Sequence, residues 1–164
     1  MAERNEAELL ARSIIVSRTI EAPREIVFEA WTDPKHLAQW WGPTGFTTTT
    51  HAFDMRPGGV WRLVMHGPDG RDYQNHVTFD EIVPPERIVF HHDDPKIAGR
   101  VHHRTTVTFE EAGSGTRLTL NMVFPTADER EQIAREHKAE EGGAQTLGRL
   151  ADYAARLSLA RSKQ

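Results

Sequence analysis

Closely spaced turn signals divide the middle of this sequence into short segments, and they constrain its fold more than any other feature. The signals are rich in proline and glycine and stand at Pro57-Gly58-Gly59, Pro68-Asp69-Gly70, Pro84-Pro85 and Gly113-Ser114-Gly115. Apolar and polar residues alternate between them, which is the pattern of half-buried strands. Turns this short cannot contain the crossover that a parallel sheet needs, so neighbouring strands should be antiparallel. We therefore predict strands near residues 13–21, 46–56, 59–66, 71–83, 87–93, 100–112 and 115–124.

Helix signals accompany this run of strands near both of its ends. Pro23, and then Asp33-Pro34, mark the starts of two short helices, because proline is tolerated in the first helical turn and aspartate caps it. Residues 126–129, Thr-Ala-Asp-Glu, have the spacing of a capping box and predict a long terminal helix. Gly142-Gly143 should bend or break that helix, since each glycine costs about 1 kcal/mol relative to alanine. The helix face expected to lie on the sheet contains Leu147, Leu150, Ala154 and Leu157.

The order of these elements predicts an α+β fold. A curved antiparallel sheet of about seven strands should wrap around the long C-terminal helix, with two short helices after the first strand. Such a sheet cannot close its own concave face, so the helix laid across it leaves either a packed core or a pocket. We expect a single domain over residues 13–160, with residues 1–12 and 161–164 as loosely held ends.

The composition argues against several classes of function. The 164 residues are enough to bury a core, and the absence of cysteine excludes disulfides, thiolate nucleophiles and cysteine-bound metal. A formal net charge of −4 gives no general attraction to nucleic acid. Residues 1–12 are charged and lack the apolar stretch of a secretory signal, and no later run is long enough to span a bilayer. These features predict a soluble, cytoplasmic protein with no nucleic-acid partner and no membrane insertion.

Several short sequence motifs, most of which are turns or packing positions, occur in order along residues 13–158. They are Ala22-Pro23 with Val27-Phe28 and Trp31, the corner Trp40-Trp41-Gly42-Pro43, the phrases at 54–59 and 81–88, Val107-Thr108-Phe109-Glu110, and Gly115-Thr116-Arg117-Leu118. In these phrases the sequence resembles the START-like (SRPBCC, helix-grip) superfamily. Within it, the sequence resembles the group of homologues of the activator of the heat-shock-protein-90 ATPase.

The resemblance implies a helix-grip fold that often holds a hydrophobic ligand between the sheet and the last helix. Members of the superfamily include lipid carriers, binders of plant hormones and flavonoids, and polyketide cyclases. No fixed catalytic motif carries over. A chaperone partner is not expected, because the separate N-terminal domain of the eukaryotic activator has no counterpart in this short sequence. We therefore expect binding of a small hydrophobic or aromatic molecule, lipid-, flavonoid- or polyketide-like, without an obligatory cofactor.

Strand alternation indicates which residues should face the helix. An ordinary packed core would account for each apolar residue singly, but polar residues on the same phase favour a pocket. Of the adjacent Trp40 and Trp41 only one can point fully inward, as a gate to the pocket or as a wedge on the sheet. The predicted ligand-binding residues are Trp40, Trp41, Phe53, Met55, Trp61, Leu63, Met65, Tyr73, Asn75, Val77, Phe90, His92, His103, Met122 and Leu147.

Histidines on the predicted inner face offer an alternative function in catalysis. His51, His92 and His103 interrupt apolar rows, and an imidazole in a partly apolar cavity can titrate near neutral pH and move protons on a bound carbonyl. These three are the catalytic candidates of a cyclase- or hydrolase-like enzyme. In the adjacent pairs His91-His92 and His102-His103 the side chains should point to opposite sides of the strand, so neither pair can clasp one ion. No metal site is predicted.

The sequence leaves three interpretations open: a ligand carrier, an enzyme, and a protein-interaction module related to chaperone activators whose core is filled. It does not identify the ligand. The oligomeric state is also left open, and a homodimer is one possibility. A bulge near Asp80-Glu81 would reverse the inward and outward assignments beyond it.

Overall fold

Seven strands and five helices occur in the part of the chain that the computed structural model describes, residues 2–94 and 97–162. The elements in chain order are α1 (Ala2–Ala11), β1 (Ser13–Ile20), α2 (Arg24–Thr32), α3 (Pro34–Trp40), β2 (Thr47–Phe53), β3 (Val60–His66), β4 (Asp72–Val83), β5 (Arg87–Asp93), β6 (Val101–Ala112), β7 (Gly115–Val123), α4 (Ala127–His137) and α5 (Ala139–Ser162). One antiparallel sheet contains the strands in the order β1-β7-β6-β5-β4-β3-β2. The α+β, helix-grip prediction is confirmed.

Side-chain caps begin two of the helices where the sequence predicted them. Asp33 accepts a hydrogen bond from the backbone N–H of Lys35 at 2.9 Å, at the start of α3. Thr126 accepts one from the N–H of Glu129 at 3.1 Å, at the start of α4. Each cap satisfies a backbone donor that has no partner within its own helix.

The two ends of the chain are more regular than expected. Residues 2–11 form α1, and Arg12 Nη1 donates to the carbonyl of Phe124 at 3.1 Å, which ties the end of this helix to the end of β7. At the other end, α5 continues to Ser162. Met1 and residues 163–164, which also belong to the predicted loose ends, lie outside the described residues.

The C-terminal helix breaks at Lys138 and not at the predicted glycine pair. Lys138 has a left-handed backbone (φ +47°) that separates α4 from α5, whereas Gly142 and Gly143 lie inside α5. A Cβ on Gly143 would stand 3.2 Å from Cγ2 of Val16, on β1. This glycine therefore allows the helix to approach the sheet closely, and it does not end the helix.

Strand β4 contains the bulge that the sequence suggested. Phe79 pairs with Phe90 and Glu81 pairs with Val89, so Asp80 is an extra residue in β4. Beyond it the inward positions change phase, because a bulge puts two residues opposite one. Ile82, which follows the bulge, accordingly packs against the core, whereas the inward-facing residues before the bulge, such as Phe79, are at odd-numbered positions.

A second bulge, in β2, was not anticipated. Thr50 pairs with Leu63 and Ala52 pairs with Arg62, which leaves His51 unpaired. His51 is exposed. The bulge therefore interrupts the alternation of inward- and outward-facing residues in β2 at this position.

The concave face is closely packed over most of its length. Fully buried side chains from the strands meet α2, α3 and α5 there, and include Trp31, Trp40, Trp61, Phe79, Phe109, Leu118, Leu147 and Leu150. Within residues 2–94 and 97–162, no helix combines the length and the apolar character needed to cross a membrane. The candidate site is found where this packing is incomplete.

Candidate ligand cavity

A cavity of about 190 Å³ lies at one end of the concave face, between the sheet, the loop after α3 and the first turns of α5. It lies where β3, β5 and β7 end and β6 begins, because these antiparallel strands place those positions at the same end of the sheet. Its lining residues are Trp31, Trp41, Gly42, Pro43, Met65, Phe90, His92, His103, Thr105, Leu120, Met122, Ala139, Gly143 and Thr146.

Aromatic rings and thioethers form most of the cavity wall. Trp41 contacts Trp31 at a ring-centroid distance of 5.6 Å and Trp61 at 4.8 Å, both edge to face. Met65 and Met122 line the same space. Rigid rings hold the shape of such a wall, whereas methionines adapt to irregular guests. The wall is therefore suited to a flat apolar molecule.

The two adjacent tryptophans have different roles. Trp40 is fully buried, and its Nε1 donates to the carbonyl of Ala30 at 3.0 Å, so it fixes α3 to α2. Trp41 is partly buried and lines the cavity. Of the two predicted ligand-binding tryptophans, only Trp41 lines the cavity, and Trp40 packs in the core.

Arg149 holds the loop that covers one side of the cavity. Its Nη1 lies 2.9 Å from the carbonyl oxygen of Gly42 and 3.2 Å from those of Trp41, Pro43 and Phe46. Burial lowers the pKa of this guanidinium from its usual value, although arginine stays charged at neutral pH. The charge is thus directed at backbone carbonyls and holds the loop against α5.

Gly42 makes this close arrangement of the loop possible. Its φ of +101° is a conformation that side chains strongly disfavour, and a Cβ there would stand 3.0 Å from Cε of Met65. The Trp40-Trp41-Gly42-Pro43 corner therefore places an aromatic ring and a bare backbone next to each other at the cavity.

Two histidines form the polar end of the cavity. His92 on β5 and His103 on β6 are register partners, and their rings stack with centroids 4.4 Å apart and planes 16° apart. On its other side His103 stacks against Phe124 at 5.2 Å. Nδ1 of His103 lies 2.7 Å from Nδ1 of His102. Nδ1 of His92 is shielded from water and has no hydrogen-bond partner among the described residues.

Burial keeps both imidazoles uncharged. Burial is the main cause, and like-charge repulsion from the neighbouring His102 and His91 the lesser one, by which the pKa of His92 is lowered to about 3. The pKa of His103 is lowered well below its ordinary value by burial, with His92 and His102 as additional causes. Both rings are therefore neutral at pH 7. This overturns the expectation that they titrate near neutral pH.

Six of the predicted ligand-binding residues line the cavity. They are Trp41, Met65, Phe90, His92, His103 and Met122. The other nine lie elsewhere, because alternation along a strand indicates the face of the sheet and not the distance from its end. Five of these nine are packed in the core with at most 2% exposure: Trp40, Trp61, Leu63, Val77 and Leu147.

The remaining four predicted residues belong to the packing around β2 and β4. Phe53 is within 6.0 Å of the ring of Trp61, and Met55 also packs against the core. The ring of Tyr73 lies 5.9 Å from that of Phe46, and Nδ2 of Asn75 donates to the carbonyl of Tyr73 at 3.2 Å. Phe53 and Met55 thus pack near the start of β3, away from the cavity, whereas Tyr73 pairs with the lining Met65 at the cavity's end of the sheet without being a lining residue itself.

His51, the third catalytic candidate, is not at the cavity. The bulge in β2 exposes it, and it borders a surface depression together with Arg62, His76 and Asp93. His51, which the sequence offered as an acid–base candidate alongside His92 and His103, therefore lies apart from them. One extra residue in a strand was enough to change the side on which it lies.

Several lining residues were not predicted as ligand-binding. Thr105 and Leu120 lie two residues from His103 and Met122, so alternation could have found them. Ala139, Gly143 and Thr146 have a helical spacing on α5, but their small side chains give no signal in a pattern of large apolar residues. Trp31, Gly42 and Pro43 complete the set.

Two histidines that face away from the cavity are paired with carboxylates. His91 Nδ1 lies 2.9 Å from Asp80, on the side of β5 opposite to His92. His76 Nδ1 lies 2.7 Å from Asp93. Among the described residues, no group of three or more histidine, aspartate or glutamate side chains is placed to hold a metal ion.

A curved antiparallel sheet that grips a C-terminal helix beside a small apolar cavity defines a START-like protein. The chain belongs to the family of Activator of Hsp90 ATPase homolog 1-like proteins, whose family model matches residues 21–155.

Solved bacterial structures share this fold over most of their length. A protein from Chromobacterium violaceum is 28% identical with a TM-score of 0.75, covering 88% of this chain and 97% of that one. The AHSA1 protein from Silicibacter pomeroyi is 26% identical with a TM-score of 0.70, covering 90% and 99%. A protein from Arthrobacter aurescens is 25% identical with a TM-score of 0.80, covering 91% and 89%. Comparison with curated proteins gives no match.

Proposed function

We propose that this protein binds a small, largely apolar or aromatic molecule in the cavity between its sheet and α5. The observation that carries the proposal is a space of about 190 Å³ lined by aromatic rings and methionines in an otherwise closely packed interior. Ligand sites are typically lined in this way, with a few polar groups that set orientation. The proposal includes a cytoplasmic location, with which the cysteine-free sequence is compatible.

Burial of ligand surface would supply most of the affinity. Each 100 Å² of apolar surface removed from water contributes about 2.5 kcal/mol, from which the cost of immobilising the ligand must be subtracted. A guest of this size should therefore bind with a dissociation constant between about 1 μM and 1 mM, or about 8 to 4 kcal/mol.

The alternative functions receive less support from the same residues. A cyclase or hydrolase needs a group that exchanges protons near neutral pH, and an imidazole with a pKa of about 3 is a weak base. A protein-interaction module with a filled core does not account for the cavity. Binding without turnover is thus the function that the geometry supports best.

The test is a ligand screen with a blocked-cavity variant. Toluene, indole and naphthalene are the probes, and the midpoint of thermal unfolding and calorimetric titration are the measurements. Ala139→Trp places an indole in the cavity lining at the start of α5. Ala144→Trp makes the same change at an exposed position of the same helix and is the matched control.

We expect the wild type and Ala144→Trp to bind at least one probe and Ala139→Trp to bind it at least tenfold more weakly. The proposal is refuted if no probe binds the wild type, or if Ala139→Trp binds as tightly as the wild type does.

A further inference from the structure

We propose that the cavity selects a neutral aromatic molecule of one or two rings that carries a hydroxyl group, and that this hydroxyl hydrogen-bonds to the His92 imidazole. The inference rests on the proposed function and adds the chemical class of the ligand. Three features of the cavity carry it: its size, the absence of charge in its lining and the state of its two histidines.

The size limits the guest to a single substituted ring or a fused pair of rings. An apolar protein cavity of about 150 Å³ holds benzene. A cavity of about 190 Å³ is only somewhat larger, and Met65 and Met122 can adjust its shape. The cavity is partly open, so a long acyl chain or a three-ring flavonoid would enter it only with part of the molecule left outside. The broader expectation of a lipid-, flavonoid- or polyketide-like ligand is narrowed accordingly.

The lining favours an uncharged guest. Among the described residues that line the cavity there is no lysine, arginine, aspartate or glutamate. Arg149 is near, but its Nη1 is engaged with the carbonyls of the covering loop. A carboxylate or ammonium group would lose its hydration without gaining an opposite charge, which costs several kcal/mol. Benzoates and amines should therefore bind much more weakly than neutral molecules of the same shape.

The polar end of the cavity favours a hydroxyl group. His92 lines the cavity, and its Nδ1 has no hydrogen-bond partner among the described residues, which is costly for a buried nitrogen. This nitrogen is shielded in the structure, so a guest hydroxyl meets it once the ring turns about its Cβ–Cγ bond and brings Nδ1 to the cavity. Since His92 is neutral, one ring nitrogen is a donor and the other an acceptor, and which is which is set by its partners. A hydroxyl can both donate and accept, so it suits either tautomer. A carbonyl or ether oxygen can only accept.

The hydroxyl group of Thr146 already donates a hydrogen bond within the protein, so it is a weaker candidate than His92 to bind the hydroxyl of the guest. Its Oγ1 donates to the carbonyl of Gly142 at 2.8 Å, within α5. His103 has its Nδ1 near that of His102, and its ring is held between His92 and Phe124. Of the two lining imidazoles, His103 therefore has one ring nitrogen already engaged, whereas Nδ1 of His92 has no partner among the described residues.

The test compares phenol with toluene, two molecules of nearly the same shape that differ by a hydroxyl for a methyl group. Phenol loses more hydration on entering an apolar cavity, so a cavity without a polar partner prefers toluene. We expect the wild type to bind phenol at least as tightly as toluene, and 1-naphthol at least as tightly as 1-methylnaphthalene. Benzoate is the charged comparison. Calorimetric titration gives the dissociation constants.

His92→Phe should reverse this preference. It should raise the dissociation constant of phenol about tenfold, because one hydrogen bond is lost, and change the dissociation constant of toluene by less than about threefold. His91→Phe, on the opposite side of the same strand, should leave both constants unchanged. If His92→Phe does not fold, His92→Leu replaces it, and the wild-type ratio of phenol to toluene still decides.

Each result has a defined meaning. Three results would overturn the inference but leave the proposed function standing. The wild type could bind toluene more tightly than phenol, or bind benzoate as tightly as phenol. The third is an unchanged ratio of the phenol and toluene dissociation constants in His92→Phe. Failure of toluene, indole, naphthalene and all the hydroxylated probes to bind refutes the proposed function itself.

Discussion

Acidification should destabilise this protein through its two buried histidines. The ordinary pKa of histidine is 6.5, whereas burial lowers the pKa of His92 to about 3 and that of His103 well below the ordinary value. As the pH falls below 6.5, the unfolded chain therefore takes up protons on these residues and the folded chain does not. The stability is fully present above pH 6.5 and is lost progressively toward the lower folded values.

The magnitude follows from the size of the shifts. At pH 5.5, one unit below the ordinary pKa, each histidine that stays neutral in the folded state costs about 1.4 kcal/mol. His92 and His103 together should lower the free energy of unfolding by about 3 kcal/mol between pH 7.5 and pH 5.5. For a chain of this length the loss corresponds to a fall of about 6 to 12 °C in the unfolding midpoint.

Urea unfolding at several pH values measures this effect. Carboxylates also titrate in acid, so the informative quantity is the difference in slope between the wild type and a variant. Replacing both His92 and His103 by phenylalanine should remove about 3 kcal/mol of the pH dependence, whatever it does to stability at pH 7.5. Gln74→Phe, at an exposed and non-titrating position on β4, is the control and should retain the wild-type slope. Equal slopes for the wild type and the double variant would refute the reasoning.

Two further predictions concern α5. Arg149→Met should lower the free energy of unfolding by about 1 to 2 kcal/mol, because partly buried, charge-assisted hydrogen bonds to the loop carbonyls are lost. The exposed Arg156→Met should cost less than about 0.5 kcal/mol in the same urea titration, and equal losses would contradict this role of Arg149. Gly142→Ala should stabilise by up to about 1 kcal/mol, since its Cβ meets only Cγ of Pro43 at 3.5 Å. Gly143→Ala should gain less or lose stability, because its Cβ would press on β1 at 3.2 Å, and identical thermal midpoints for the two glycine variants would count against this account.

Local signals were sufficient for much of the fold because they act within a few residues. The aspartate cap of α3 and the threonine cap of α4 occur where the sequence placed them. The same holds for the proline- and glycine-rich turns between the strands, which leave only antiparallel neighbours in the sheet. Even the bulge at Asp80 was a stated alternative, because the alternation of apolar residues falters there.

Features that depend on packing between distant segments were not accessible in this way. The left-handed Lys138 gives no sequence signal of its own, and the glycine pair looked like the break because its contact with β1 is invisible along the chain. The bulge at His51 similarly depends on the pairing of β2 with β3.

By itself, the sequence determined an antiparallel sheet with a terminal helix and the inward face of those strands that have no bulge, since these follow from turns and periodicity. Only the tertiary structure decided that the cavity occupies one end of that face, with Trp41 inside and Trp40 in the core. It also decided that His92 and His103 meet as stacked, neutral rings. The physical reason is that volume and desolvation are set by how segments far apart in the chain pack together, and alternation along one strand does not contain that information.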